Sequence, residues 1–268
     1  MIRLWAYILL ALLFFGFIAY WSTFAEQFLG HPSQITGWAL FASVAFLSLF
    51  SFRKRLPFLK ILGSASRWFL LHAIGGFLAL SLFWLHMGSL WPTGLGDEIM
   101  ATLFYAVTLS GIIGLFLEKL YPHYLTRSGV ECIYERIPGE IAEIRSNAEE
   151  VLVKCAEETG SDTLAQHYLE TLHWFFQRPR FFLNHAFMGQ SAQHWVRHQC
   201  QILERYLDEK EREYLKQIFA LADYKRKVDF HYVAQRILKG WLLIHLPISV
   251  AVITLTFWHL IVVHVYFL

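Results

Sequence analysis

The chain has 268 residues, of which 56% are hydrophobic, 17% aromatic and only 16% charged, with a formal net charge of +2. Twenty-four Phe and ten Trp against so few charges argue against an ordinary soluble domain and for a membrane protein with some soluble mass. The near-zero net charge gives no ground for nucleic acid as a partner. Cys132, Cys155 and Cys200 lie far apart, with no CxxC and no CxxCH. That argues against a thiolate zinc site, a redox dithiol or a covalent c-type haem, and it fits a reducing cytoplasmic compartment.

In chain order, the first apolar run covers residues 4–21. It is too long for a signal peptide and no small-x-small cleavage site follows, so it reads as a spanning helix. The second run covers 35–52. After it comes the basic loop "RKRLPFLKILGSASR", with Arg53, Lys54, Arg55, Lys60 and Arg67. The loops around Glu26 and around Asp97 and Glu98 have no Lys or Arg. The positive-inside rule therefore puts the N-terminus and the basic loop in the cytoplasm.

The third run, "WFLLHAIGGFLALSLFWLHMGSLW", covers 68–91 without a formal charge and carries His72 and His86. The fourth covers 99–117. A polar segment, 118–239, follows. Its stretches "IAEIRSNAEEVLVKCAEE", "DTLAQHYLETLHWFF", "AQHWVRHQCQILERYL" and "EKEREYLKQIFALADY" have helical periodicity, and Pro179 and Gly189 punctuate them. "GVECIYERIPGE" alternates like a short β-hairpin. The fifth run, 240–268, carries His245 and His259. The expected fold is thus an all-α integral membrane protein. It has a five-helix transmembrane bundle (1–117 and 240–268) with a mostly helical cytoplasmic insert (118–239) between helices four and five. The C-terminus falls outside, and the expected location is the bacterial inner membrane.

Intramembrane histidines are costly and mark function. Both pairs are separated by fourteen residues. That spacing is roughly 21 Å along a helix and about 40° short of whole turns, so each pair shares a face at two depths. Spans three and five run in the same direction. His72 and His245 are therefore at matched depth near the cytoplasmic side, and His86 and His259 near the outer side. Imidazoles opposed across an interhelical gap are the axial ligands of a six-coordinate b-type haem. The arithmetic calls for two haem b: an inner one on His72 and His245, an outer one on His86 and His259. These four are the metal ligands, and no catalytic residue is assigned.

Gly75 and Gly76, on the face of His72, either admit a porphyrin or let helices pack closely, as Ser110, Gly111 and Gly114 do in span four. Pro247 removes a backbone bond just after His245. Arg67 and Lys239, just outside spans three and five, are cations placed for haem propionates, or simply positive-inside flanks. His264 does not share the face of His259. His194 and His198 in "HWVRH" have metal-binding spacing but lack the Glu of HExxH. "FFQRPRFFLNHAF", with Arg178 and Arg180, suits a membrane-surface segment, insert core or a docking face.

The four histidines resemble the ligand pattern of diheme membrane cytochromes b. The spacing is similar to that of quinol–cytochrome c oxidoreductases. Placement on spans three and five is similar to the transmembrane domain of ferric reductases and NADPH oxidases, which hold two stacked haems there. The resemblance covers the spans and His72, His86, His245 and His259, not the insert. The chain departs from that domain in its large insert and in having no GxGxxG and no flavin–nicotinamide module after span five. It looks more like the cytochrome b subunits of respiratory complexes. The resemblance implies an electron-transfer subunit of an oxidoreductase complex, working between a quinone pool or cytoplasmic donor and a redox partner across the membrane. Its partners would be a c-type cytochrome, iron–sulfur or flavoprotein subunit, with quinone and membrane lipid. The competing expectation is a non-redox transporter or scaffold whose histidines bind metal or relay protons.

Overall fold

A computed structural model describes residues 2–28, 30–52 and 63–266. Arg53, Lys54, Arg55 and Lys60, on which the expected orientation leans, lie outside the described residues. Among the described residues every regular element is helical, and five helices are long and apolar enough to cross a membrane. They are α1 (Ile2–Gln27), α2 (Pro32–Phe52), α3 (Ala65–Met87), α4 (Leu95–Arg127) and α10 (Glu209–Tyr266). Between α4 and α10 lie α5 (Ile137–Thr159), α6 (Thr163–His167), α7 (His173–Gln177), α8 (Phe182–Ala186) and α9 (Ser191–Glu204). A π turn at Tyr168–Leu172 joins α6 to α7.

The chain divides into two compact units, residues 1–116 with 242–268, and residues 117–241. In the first, α1 has no polar face: Trp5, Leu9, Leu10, Leu12, Leu13 and Phe17 are all exposed. Apolar side chains around the whole circumference suit lipid, not water. The Ser64 hydroxyl caps α3 by accepting from the Arg67 N–H, and Gly88, at φ 66°, ends it in the left-handed region. Asp97 and Glu98 sit in the first turn of α4, where negative charge offsets the helix dipole. Helices α1, α2 and α3 pack closely on one another, whereas α3 and α10 are not in comparable backbone contact.

The second unit closes a core of its own. Ile137, Ile141, Ile144, Ala148, Leu152 and Cys155 recur at three and four along α5, and all are buried. They meet Val196, Cys200 and Leu203 of α9 and Leu215, Ile218 and Ala222 of α10 in one cluster.

One sequence expectation needs correction. The "GVECIYERIPGE" stretch forms no hairpin: it is irregular to Ile133, then a 3₁₀ turn, Tyr134–Arg136, leads into α5. Gln235 takes the place of a partner strand. Its side-chain amide donates to the Cys132 carbonyl at 2.7 Å and accepts from the Tyr134 N–H at 3.1 Å. Pro138 then starts the helix, where its missing N–H costs nothing. The insert's last helix runs into span five without a break in the helix. Helix α10 continues through Gly240 and Pro247 for 58 residues. A glycine's penalty of about 1 kcal/mol is too small to end a helix otherwise well supported on both sides.

Candidate functional site

Helices α3 and α10 carry the two histidine pairs. The rings of His86 and His259 face each other with centroids 6.4 Å apart and planes at 90°. Two nitrogen–metal bonds of about 2.0 Å, with each ring centre about 1.1 Å behind its nitrogen, span about 6.2 Å. The separation, taken alone, matches the room one metal ion needs between two imidazoles. Thr36 Oγ1 of α2 lies 3.0 Å from His86 Nδ1, which leaves Nε2 for a ligand. Holding the second ring nitrogen by a polar neighbour is how ligating histidines are oriented. Gly37 is part of the same contact. A Cβ there would come within 3.0 Å of His86 Cε1, so the ring occupies space only glycine leaves.

The other pair shares one feature, a hydroxyl and a glycine behind one ring, supplied by a different helix. His72 and His245 are close enough to interact electrostatically. Ser110 Oγ of α4 lies 3.2 Å from His245 Nδ1, and a Cβ on Gly111 would lie 3.8 Å from His245 Cε1. A hydroxyl residue followed by glycine thus backs one imidazole of each pair: Thr36 and Gly37 for His86, Ser110 and Gly111 for His245. His72 packs against Phe50 at 4.9 Å, and its Nδ1 is buried without a hydrogen bond. The Leu47 carbonyl is beside it.

Midway between the pairs the helices close over apolar side chains. Ala79 is seven residues from both His72 and His86, and Val252 is seven from both His245 and His259. Both are buried in one cluster with Val44, Phe83, Ala101 and Phe104. The Phe83 and Phe104 rings stack at 4.3 Å. The two polar levels are thus separated by an apolar layer. At the C-terminal end of α3, Trp84 Nε1 donates to Tyr105 Oη, Tyr105 donates to the Leu90 carbonyl, and Trp91 stacks on Tyr105. Such an aromatic girdle belongs at a membrane–water interface.

The remaining candidates fall differently. A Cβ on Gly75 would meet Leu47 of α2 at 3.1 Å, so Gly75 serves helix packing, while Gly76 has open space around it. Arg67 is exposed, with its Nε 3.3 Å from Ser64 Oγ. Lys239 is engaged by Glu135 and stands 4.3 Å over the Tyr134 ring. His264 is exposed and bonds the Leu260 carbonyl of its own helix. His194 and His198 are both exposed, and among the described residues no group of three or more His, Cys, Asp or Glu could hold a metal ion. Thr36 and Gly37 have no signal in the sequence, because their role depends on which helix lies beside α3. Ser110 and Gly111 show only as small residues.

No protein-family model, curated protein or solved structure matches this chain.

Proposed function

We propose that this chain is a diheme b-type cytochrome subunit that carries electrons across a membrane within a redox complex. Its five apolar helices would form a transmembrane bundle, with residues 118–239 and the N-terminus on the cytoplasmic side of a bacterial inner membrane and the C-terminus outside. His72 and His245 would hold the inner haem, His86 and His259 the outer. Haem, when bound, supplies a reversible one-electron carrier at each level. Thr36 and Ser110 would orient His86 and His245 through Nδ1 and so set how strongly those imidazoles bind. Two protein ligands per iron leave no open position for oxygen, which favours electron relay. The Ala79, Val252, Phe83 and Phe104 layer would keep water from the interval between the carriers. Arg67 is the exposed cation offered to a propionate, whereas Lys239 is already paired.

One observation carries this reading: the 6.4 Å, perpendicular opposition of His86 and His259. Donor, acceptor and partners follow from the resemblance alone: a quinone pool or cytoplasmic donor, and a c-type cytochrome, iron–sulfur or flavoprotein subunit. The test is to purify the full chain from haem-replete cells in mild detergent and record a reduced-minus-oxidised spectrum with haem quantitation. The reading expects b-type bands and about two haems per chain. Colourless protein would instead favour a scaffold or transporter with metal-binding or proton-relaying histidines.

A further inference from the structure

The second unit holds a charged pair with no exposure at all. Lys225 Nζ lies 2.6 Å from Asp229 Oδ2, and both side chains are fully buried. Burying an ion pair is costly unless its remaining hydrogen-bonding capacity is used. Here part of it is used on the backbone of the loop between α7 and α8, while Asp229 Oδ1 is left without a hydrogen bond. Lys225 donates to the Arg178 carbonyl at 2.9 Å, and Asp229 accepts from the Arg180 N–H at 3.2 Å. Phe175 lies under the ammonium at 4.1 Å. The loop needs such a clamp: Phe181 adopts φ 56°, a left-handed conformation that a bulky side chain avoids.

The clamp fixes what the loop presents. Arg178, Pro179, Arg180 and Phe182 line a depression of about 600 Å³ together with Tyr232 and Arg236 of α10. Arg180 is stacked on Trp174 at 4.7 Å, with its Nε donating to the Trp174 carbonyl. Arg236 donates to Tyr232 Oη and lies 5.8 Å over Phe182. Two of the three guanidiniums are thereby held in place by aromatic groups. Among the described residues no carboxylate forms an ion pair with any of the three. Burial first, and then the neighbouring Arg178 charge, work against the charge on Arg180; the buried Asp229 acts the other way. Two positioned guanidiniums and a third beside Arg180, without a paired carboxylate, line an open depression that is short of an anion.

We infer that the Arg178, Arg180 and Arg236 depression binds a phosphate-bearing ligand. Guanidinium forks match phosphate oxygens in pairs, and aromatic walls accept an attached apolar or ring portion. Arg236 lies only four residues before the apolar run at Gly240, so a phospholipid headgroup and a soluble phosphate both have access.

The test uses the full chain. One arm titrates it, in neutral detergent, with pyrophosphate by calorimetry. The other exchanges it into nanodiscs with or without phosphatidic acid and measures retained lipid by mass spectrometry. Saturable binding in at least one arm is expected, weakened about ten-fold or more in R178Q/R236Q. It should be unchanged in K210Q/K216Q, which removes the same two charges from exposed positions elsewhere on the chain. Circular dichroism checks that the variants are folded. The arm that binds identifies the source of the phosphate. No binding in either arm, equal affinity in all three proteins, or equal loss in both double variants would overturn the assignment.

Discussion

The two units treat their internal polar groups in different ways. In the insert, Lys225 and Asp229 are withdrawn from solvent entirely, and each is partnered within the protein, by the other and by the Arg178 and Arg180 main chain. In the apolar unit, four part-buried imidazoles stand on α3 and α10, with the His86 and His259 rings 6.4 Å apart and a hydroxyl behind His86 and behind His245. The first arrangement is closed: ammonium, carboxylate and backbone meet at Asp229 Oδ2, fully out of solvent, with Oδ1 alone left unpartnered. The second is open, in that its four imidazoles are only part-buried. A closed polar cluster fixes a fold, whereas the proposed haem ligation calls on the open one.

The comparison can be broken from either side. The largest effect is expected at the open cluster. His259→Ala should remove the outer haem and keep the inner, reducing haem content from about two to about one per chain, and His72→Ala should do the reverse. Haem quantitation on folded variants checks this, and unchanged content in both would show that the rings are not ligands. Next is the closed cluster. Lys225→Met strands a buried carboxylate and should cost about 3–5 kcal/mol in chemical denaturation. The paired change K225M/D229L should recover most of that loss. A single change as mild as the pair would mean the clamp is not coupled.

His185 offers a smaller test in the same unit. It is 3% exposed with its Nε2 unpaired. Burial, then the charges of Arg226 and Lys225, push it down to about 4. A depressed histidine stays neutral in the fold while the unfolded chain takes up a proton. Stability should therefore be intact above about pH 6.5 and fall as pH drops toward 4, by roughly 3 kcal/mol at most. Asp229, raised to about 6 chiefly by burial, acts in the opposite direction over part of that range. The measurement is consequently the difference between wild type and His185→Phe, which should lose the histidine's share of the acid sensitivity. Identical pH profiles would remove that role from His185.

The hydroxyls behind the rings come next. Thr36→Val and Ser110→Ala should each weaken retention of the corresponding haem by 10- to 100-fold without abolishing it, as loss of such an orienting partner does elsewhere. Smallest of all is Arg145→Ala on the insert surface. Its partner Glu149 is 51% exposed, and the pair should be worth no more than about 0.5 kcal/mol.

Legibility in the sequence follows the range of each interaction. Charge-free runs identify apolar helices because length and composition are local properties, and the spacing of fourteen places two histidines on one face for the same reason. The three-and-four pattern of Ile137 through Cys155 marks a buried stripe equally well. What Thr36 and Ser110 do depends on helices beside them, and no spacing within α2 or α4 encodes that. Gln235 had the same invisibility: a glutamine 103 residues from Cys132 replaced the strand that alternation in "GVECIYERIPGE" suggested. Lys225 and Asp229 had a readable i,i+4 spacing, but that spacing more often marks a solvated pair. Only the packing of Phe175 and the α7–α8 loop over them reveals their burial.

The central claim is that two pairs of facing imidazoles each hold an iron. Electron paramagnetic resonance of the oxidised, purified chain tests it most directly. The expected result is two low-spin ferric signals, with the strongly anisotropic form that perpendicular imidazole planes produce coming from the His86 and His259 level and lost in His259→Ala. A high-spin ferric signal as the main species, or no haem signal from protein made in haem-replete cells, would contradict it.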